Sequence, residues 1–220
     1  MVYYQEEDFT RGSVNGMDAQ AHWERIYAEK VPTEVSWYRP HLETSLALVE
    51  QYAPGRSSAV IDIGGGVSTL VDDLLAREYE NITVLDISQT AIDANRKRLG
   101  RASERIAWLV GDITKVELES SAYDVWHDRA VFHFLTAPSD RTAYVRQVAR
   151  AMKRGGHVII SAFGPEGPTK CSGLDVVRYA AESLHAEFGA GFRLLSSSVE
   201  QHHTPFGTIQ QFVYCCCKVE

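Results

Sequence analysis

The segment Val60-Ile61-Asp62-Ile63-Gly64-Gly65-Gly66-Val67-Ser68-Thr69-Leu70 constrains this chain more than any other. A short apolar run ends in an acid, passes through three glycines and opens into a helix-like stretch. Glycines there allow backbone angles that a Cβ forbids and let a ligand approach the main chain closely. The pattern reads as the first strand and loop of a doubly wound α/β sheet, where ligands bind beyond the strand C-termini.

Two nucleotide loops are excluded at once. A P-loop needs a Lys-Ser/Thr pair after its glycines, and Val67-Ser68-Thr69-Leu70 supplies no lysine. A dinucleotide fingerprint needs G-x-G-x-x-G, and Thr69 stands where the last glycine belongs. On the loop alone, a glycine turn without a ligand competes with a ligand loop. The next segments argue against the empty turn. Asn81-Ile82-Thr83-Val84-Leu85-Asp86 is a second β-type run ending in an acid. A carboxylate at that strand end can accept both hydrogen bonds of a ribose diol, with Ile87 against the adenine face. A third run, Ile106–Val110, leads into Gly111-Asp112-Ile113, where Asp112 can accept the exocyclic adenine amine and Ile113 can pack on the ring.

Apolar spacing predicts strands near 59–63, 82–86, 106–110, 123–127 and 157–162, with helices near 68–78, 89–99 and 138–153. Strict alternation of this kind makes a parallel sheet with helices on both faces. Gly155-Gly156 reads as the stop of the last of these helices. Ahead of the alternation, Asp18 reads as the cap of a helix to about Lys30, and a second helix runs from about His41 to Gln51. After it, Phe192–Val199 and Thr208–Lys218 read as two strands joined by His202-His203-Thr204-Pro205-Phe206-Gly207, a connection short enough to pair them antiparallel.

With these residues in place, Asp62-Ile63-Gly64-Gly65-Gly66 resembles the D/E-x-G-x-G motif of class I S-adenosylmethionine-dependent methyltransferases. The likeness covers about residues 18–217, and the closing antiparallel hairpin is shared with that class. Trp23-Glu24-Arg25-Ile26-Tyr27 and Ser36-Trp37-Tyr38 resemble the N-terminal helix and aromatic segment of the thiopurine, tellurite and small protein-lysine methyltransferase-like branch. Asp128-Arg129-Ala130-Val131 resembles the Asp-Arg-Gly/Ala segment of the thiopurine group. The resemblance implies a Rossmann-like, doubly wound seven-stranded sheet, mostly parallel with a C-terminal antiparallel hairpin. It also implies S-adenosylmethionine as cofactor and the transfer of one methyl group. The expected layout is a flexible segment over 1–17 and a single methyltransferase domain over 18–220, with a helical and aromatic lid at 18–52.

The net charge of −7 argues against a nucleic-acid partner, because phosphates call for a basic surface. Arg96-Lys97-Arg98 reads as a solvated helix end. The acidic N-terminus has no apolar core of a signal peptide, and no stretch reaches the length of a membrane span. The expectation is a cytoplasmic protein, monomer or homodimer, away from membranes. Its four cysteines form no disulfide framework in a reducing compartment.

Candidate cofactor residues are thus Asp62, Gly64, Gly65, Gly66, Asp86, Ile87, Asp112 and Ile113. His127 joins them as a lining residue, and Trp37 as a lid whose aromatic face attracts the sulfonium. The candidate catalytic residues are Arg129, which the thiopurine resemblance turns toward the acceptor, His133 as a general base suited to neutral pH, and Cys171 in a Gly/Pro-rich loop. No metal-ligating spacing is present. The expected acceptor is a small molecule, with a thiol or metalloid in view because soft thiolates suit thiophilic species. Cys215, Cys216 and Cys217 read as buried strand residues. A protein-lysine acceptor, drawn to the acidic surface, and a non-catalytic cofactor-binding protein are the alternatives.

Overall fold

The computed structural model describes residues 16–220, with side chains from residue 19 onward. All but the last two residues of the expected flexible segment therefore lie outside the described residues. Helix α1 (Gly16–Glu29) and α2 (Glu43–Tyr52) precede the alternating part of the chain. That part runs β1 (Ala59–Ile63), α3 (Leu70–Ala76), β2 (Asn81–Asp86), α4 (Gln89–Leu99), β3 (Ile106–Val110), β4 (Tyr123–Arg129), α5 (Pro138–Ala151) and β5 (Met152–Phe163). A two-residue hairpin, β6 (Lys170–Cys171) with β7 (Leu174–Asp175), then leads to α6 (Ala181–Ala186), β8 (Phe192–His203) and β9 (Ile209–Val219).

The seven long strands form one sheet in the order β3-β2-β1-β4-β5-β9-β8. β9 is antiparallel to both of its neighbours, and every other pair is parallel. The doubly wound class and its closing hairpin therefore hold as read from the sequence. The strand order reverses between β1 and β4, which opens a crevice at their C-terminal ends.

Side-chain alternation divides the core in two. Trp126, Tyr144, Ile160, Cys215 and Cys217 pack on the α5 and α6 face. Leu46, Leu70, Leu74, Val125, Ile159, Tyr214 and Cys216 pack on the α2 and α3 face. Pro138 opens α5 at a position that needs no N–H, and the Ser88 hydroxyl caps α4 by accepting from Ala91 N at 3.1 Å.

Several boundaries differ from the sequence reading. Helix α1 begins at Gly16, so Asp18 lies inside it. Strand β4 continues through His127, Asp128 and Arg129, residues expected in the loop beyond it. Strand β5 starts at Met152, so Gly155-Gly156 sit within a strand, where Gly155 takes φ 78°. The pairing of β4 with β5 shifts register between Tyr123 and Val125, which accommodates that irregular start. The β6–β7 hairpin and α6 are too short to leave a periodic signal.

Candidate functional site

The glycine loop is held from three sides. The N–H groups of Gly64 and Gly65 both donate to Leu85 O, at 2.7 and 3.3 Å. Gly64 has φ 64°, and a Cβ there would lie 2.1 Å from Val131 Cγ2. A Cβ on Gly66 would lie 2.7 Å from Asp86 Oδ2 and 3.0 Å from the Tyr27 hydroxyl. From α4, the Asn95 amide donates to the carbonyls of Gly65 and Gly66. Arg98 pairs with Asp72 and donates to Ser68 O at 3.0 Å. Arg98, read as part of a solvated helix end, thus braces the loop.

The three strand-end acids differ in environment. Asp86 is buried and accepts from Ser88 N at 2.8 Å. Burial pushes its carboxyl up to about 7, against amide hydrogen bonds from Ser88 and Gly66 that favour the charged form. Asp112 is held by Thr114 and Lys115, with Thr114 N at 2.9 Å and Lys115 Nζ at 2.8 Å, and these partners keep its carboxyl below the usual range despite partial burial. Ile113 is buried beside it and Ile87 is half-buried.

Helix α1 lies over this edge. The Glu24 carboxylate accepts from Ser88 Oγ at 2.8 Å, Gln89 N at 2.7 Å and Thr90 N at 3.0 Å, and so occupies the positive end of α4. Trp23, read as packing on the core, meets Trp37 at 5.9 Å and Phe134 at 5.1 Å between ring centroids, so α1 and the 31–39 segment share one aromatic cover.

Asp62 and His127 are register partners on β1 and β4. His127 Nδ1 donates to Asp62 Oδ1 at 2.7 Å, which leaves Nε2 to accept from the Ser45 hydroxyl at 2.9 Å. Ser45 in turn lies 3.2 Å from the Tyr214 hydroxyl, and Arg129 Nε donates to that same oxygen at 3.2 Å. Arg129 Nη1 donates to Trp37 O at 3.3 Å, and the guanidinium lies 4.3 Å over the Phe212 ring. A partly open cleft of about 490 Å³ brings Trp37, Asp62, Gly64, His127 and Arg129 together with Tyr27, Tyr38, Arg39, Ser68 and Thr69. Asp62 Oδ2 and Arg129 Nη2 are buried in it without a hydrogen-bond partner among the described residues. A cradle with no room for a Cβ, with an open carboxylate oxygen beside it, fits the charged methionine half of S-adenosylmethionine.

Other candidates sit apart from this cleft. His133 is buried; its Nδ1 accepts from Phe163 N at 3.3 Å, and burial drives its ring down to about 3. A ring that weakly basic, with its lone pair in use, is a poor general base. Cys171 is buried in the β6–β7 hairpin and burial holds its thiol at about 11, so it is a thiol at neutral pH. Cys215, Cys216 and Cys217 are likewise buried thiols at about 12, 11 and 12. Asp128 faces away from Arg129; it accepts from Tyr144 OH at 2.5 Å and Val131 N at 2.9 Å, and so pins the turn after β4.

Sequence reasoning missed Ser45, Tyr214, Glu24, Asn95 and His202. Ser45 left one signal, a hydroxyl between Leu42 and Val49 on the apolar stripe of α2, since a buried hydroxyl demands a partner.

A family model described as "Methyltransferase domain" matches residues 61–160. The chain is 26% identical over 138 residues to the mouse (Mus musculus) "eEF1A lysine and N-terminal methyltransferase", covering 63% of this chain and 19% of that protein. It is 22% identical over 195 residues to the human (Homo sapiens) "EEF1A lysine methyltransferase 2", covering 82% of this chain and 77% of that one. The chain thus spans about a fifth of the mouse relative. Among solved structures, one described as "Conversion of a Disulfide Bond into a Thioacetal Group during Echinomycin Biosynthesis" superposes with a TM-score of 0.73 at 17% identity, covering 92% of each chain, and shows the shared fold. Because the domain match lies over the strands that build the glycine cradle, the chain is an S-adenosylmethionine-dependent methyltransferase of the class I fold.

Proposed function

We propose that this domain transfers one methyl group to a small molecule enclosed at the C-terminal ends of β4, β5 and β9. The observation that carries this reading is a buried polar cluster built around two phenylalanines. His133 meets Phe163 at 4.5 Å, Phe163 meets Phe212 at 4.8 Å and His202 meets Phe212 at 5.8 Å between ring centroids. Among the described residues, His133 Nε2, His202 Nδ1 and Gln210 Oε1 are buried there without partners. Leaving such groups unpaired costs roughly 1–3 kcal/mol each, which a polar ligand would remove.

The tautomers assign the roles. His133 Nδ1 accepts from Phe163 N, so Nε2 carries a proton and donates. His202 Nε2 donates to Ser36 O at 2.7 Å, so its Nδ1 keeps an open lone pair. His202, rather than His133, is therefore placed to take a proton from the acceptor, while His133 orients it. In the cofactor region, Asp62 and Gly64–Gly66 would hold the methionine half, Asp86 the ribose, and Asp112 with Ile87 and Ile113 the adenine. Trp37 closes over the cleft. The bound cofactor supplies an electrophilic methyl group; the protein aligns the acceptor, excludes water and accepts the proton.

A protein-lysine acceptor is the second reading, favoured by what the relatives are described as methylating and by the net charge of −7. Arg39 and Arg129 on the cleft lining oppose an incoming ammonium, which favours the small molecule. The metalloid branch loses its chemical ground with Cys171 held as a thiol. The test uses methyl-labelled S-adenosylmethionine with a panel of small thiols, thiopurines and arsenite in one arm and a protein extract in the other. Label in a small product, lost in His202→Phe, supports the proposal. Label on a protein band overturns it.

A further inference from the structure

Two buried groups of opposite charge face one cleft, each with an open position. Asp62 Oδ2 has no partner among the described residues, and its other oxygen is taken by His127. Arg129 Nη2 has none either; the nearest carboxylate, on Glu200, is 3.9 Å away, beyond a hydrogen bond. Only 5% of the Arg129 side chain and 3% of the Asp62 side chain are exposed. Both residues lie at the C-terminal ends of adjacent parallel strands and both line the cleft beside Gly64.

The two groups are also joined from behind. The run Asp62–His127–Ser45–Tyr214–Arg129 is a continuous hydrogen-bonded chain, with steps of 2.7, 2.9, 3.2 and 3.2 Å. Its direction is fixed at both ends. Arg129 Nε can only donate, so the Tyr214 hydroxyl donates onward to Ser45, and Ser45 to His127 Nε2. His127 Nδ1–H then donates to Asp62. The chain turns one face of each charged group inward and leaves the other face to the cleft.

We propose that Asp62 Oδ2 and Arg129 Nη2 form a clamp for an α-amino acid, the ammonium on Asp62 and the carboxylate on Arg129, with Ser45 and Tyr214 as positioning residues. The occupant is the methionyl end of the cofactor, so the proposal rests on the S-adenosylmethionine identification. It moves Arg129 from the acceptor to the cofactor. A guanidinium fixed by Tyr214, Trp37 and Phe212 loses little freedom on binding a carboxylate, which is what makes a rigid seat effective. The alternative source of the same chemistry is a carboxylate on the acceptor.

Titration calorimetry of the full chain distinguishes these cases with three probes. S-adenosylhomocysteine carries the whole amino acid, its decarboxylated analogue lacks only the carboxylate, and 5′-methylthioadenosine lacks both groups. Arg129→Gln is expected to weaken S-adenosylhomocysteine at least tenfold while leaving the other two probes within twofold. Ser45→Ala and Tyr214→Phe are expected to weaken S-adenosylhomocysteine by about threefold to tenfold and to spare 5′-methylthioadenosine, whose binding also reports an intact fold. Unchanged affinity of Arg129→Gln for S-adenosylhomocysteine overturns the clamp and returns Arg129 to the acceptor. Equal losses on all three probes overturn it as well, because the residue would then only support the cleft. If none of the probes binds the unaltered protein, the cofactor identification itself fails and the clamp falls with it.

Discussion

Asp86 offers the sharpest quantitative test of the site, because its titration lies at a working pH. Burial between β2, the glycine loop and α1 places its carboxyl at about 7, where an ordinary one has 3.8. Ribose hydroxyls donate, so they bind the ionised form, and protonation removes one of its acceptor positions. With a midpoint near 7, about nine-tenths of the groups are ionised at pH 8 and about one-tenth at pH 6. Affinity for a ribose-bearing ligand should therefore fall about tenfold between those values, equivalent to about 1.4 kcal/mol. The probe of choice is 5′-methylthioadenosine, since it lacks the amino and carboxyl groups that would add their own titrations. The stability contribution has the opposite sign. A carboxyl raised in the folded state stabilises fully below its ordinary value and loses that contribution as the pH rises through about 7. The ligand-free protein should accordingly lose melting temperature from pH 6 to 8, and Asp86→Asn should flatten both profiles. An affinity that is constant over this range, or stronger at pH 6, refutes Asp86 as the ribose seat.

Three further outcomes follow from the geometry. Glu24→Ala removes the cap that α1 places on α4 and should cost about 1 kcal/mol, or about 2–4 °C of melting temperature by calorimetry; an unchanged value would mean that α1 is not latched there. Gly64→Ala forces a Cβ into the left-handed region and against Val131, and should lower the melting temperature by at least ~5 °C, with partial recovery when paired with Val131→Ala. All four cysteines are buried, and their thiols should resist a disulfide reagent at pH 8 in the native protein yet react fully in denaturant; rapid native labelling of Cys171 would restore a chemical role for it.

What the sequence disclosed was whatever recurs with a period or needs a special residue. The buried parallel strands announce themselves as apolar runs, and Gly64 and Gly66 are legible because their positive φ and close neighbours admit no Cβ. The acids at the ends of β1, β2 and β3 could be named for the same reason, as they punctuate those runs. The polar chain behind them could not. Ser45, His127, Tyr214 and Arg129 come from α2, β4 and β9, far apart in sequence, and only the sheet order brings β9 within reach of β4 across β5. Placing His127 and Arg129 in a loop also hid their alternation with Trp126 and Asp128. His202 was read as a turn residue, whereas β8 continues through it and carries its ring onto Phe212.

Strand β4 shows why that alternation matters for function. His127 and Arg129 point to the cleft face, while Trp126 and Asp128 point to the other face and join Tyr144 through bonds of 2.8 and 2.5 Å. A one-residue slip of β4 would exchange these sets and present a tryptophan and a structural acid to the cofactor. The register is pinned at the far end of the strand, where the Asp124 carboxylate accepts from Ala59 N of β1 and from Lys153 Nζ of β5, both at 2.8 Å. One acid thus ties β4 to both neighbours before the chemistry begins, and Asp128 holds the turn where it ends. The two residues of β4 that face the cleft owe their place to the two that do not, and to an aspartate a full strand length away from any ligand.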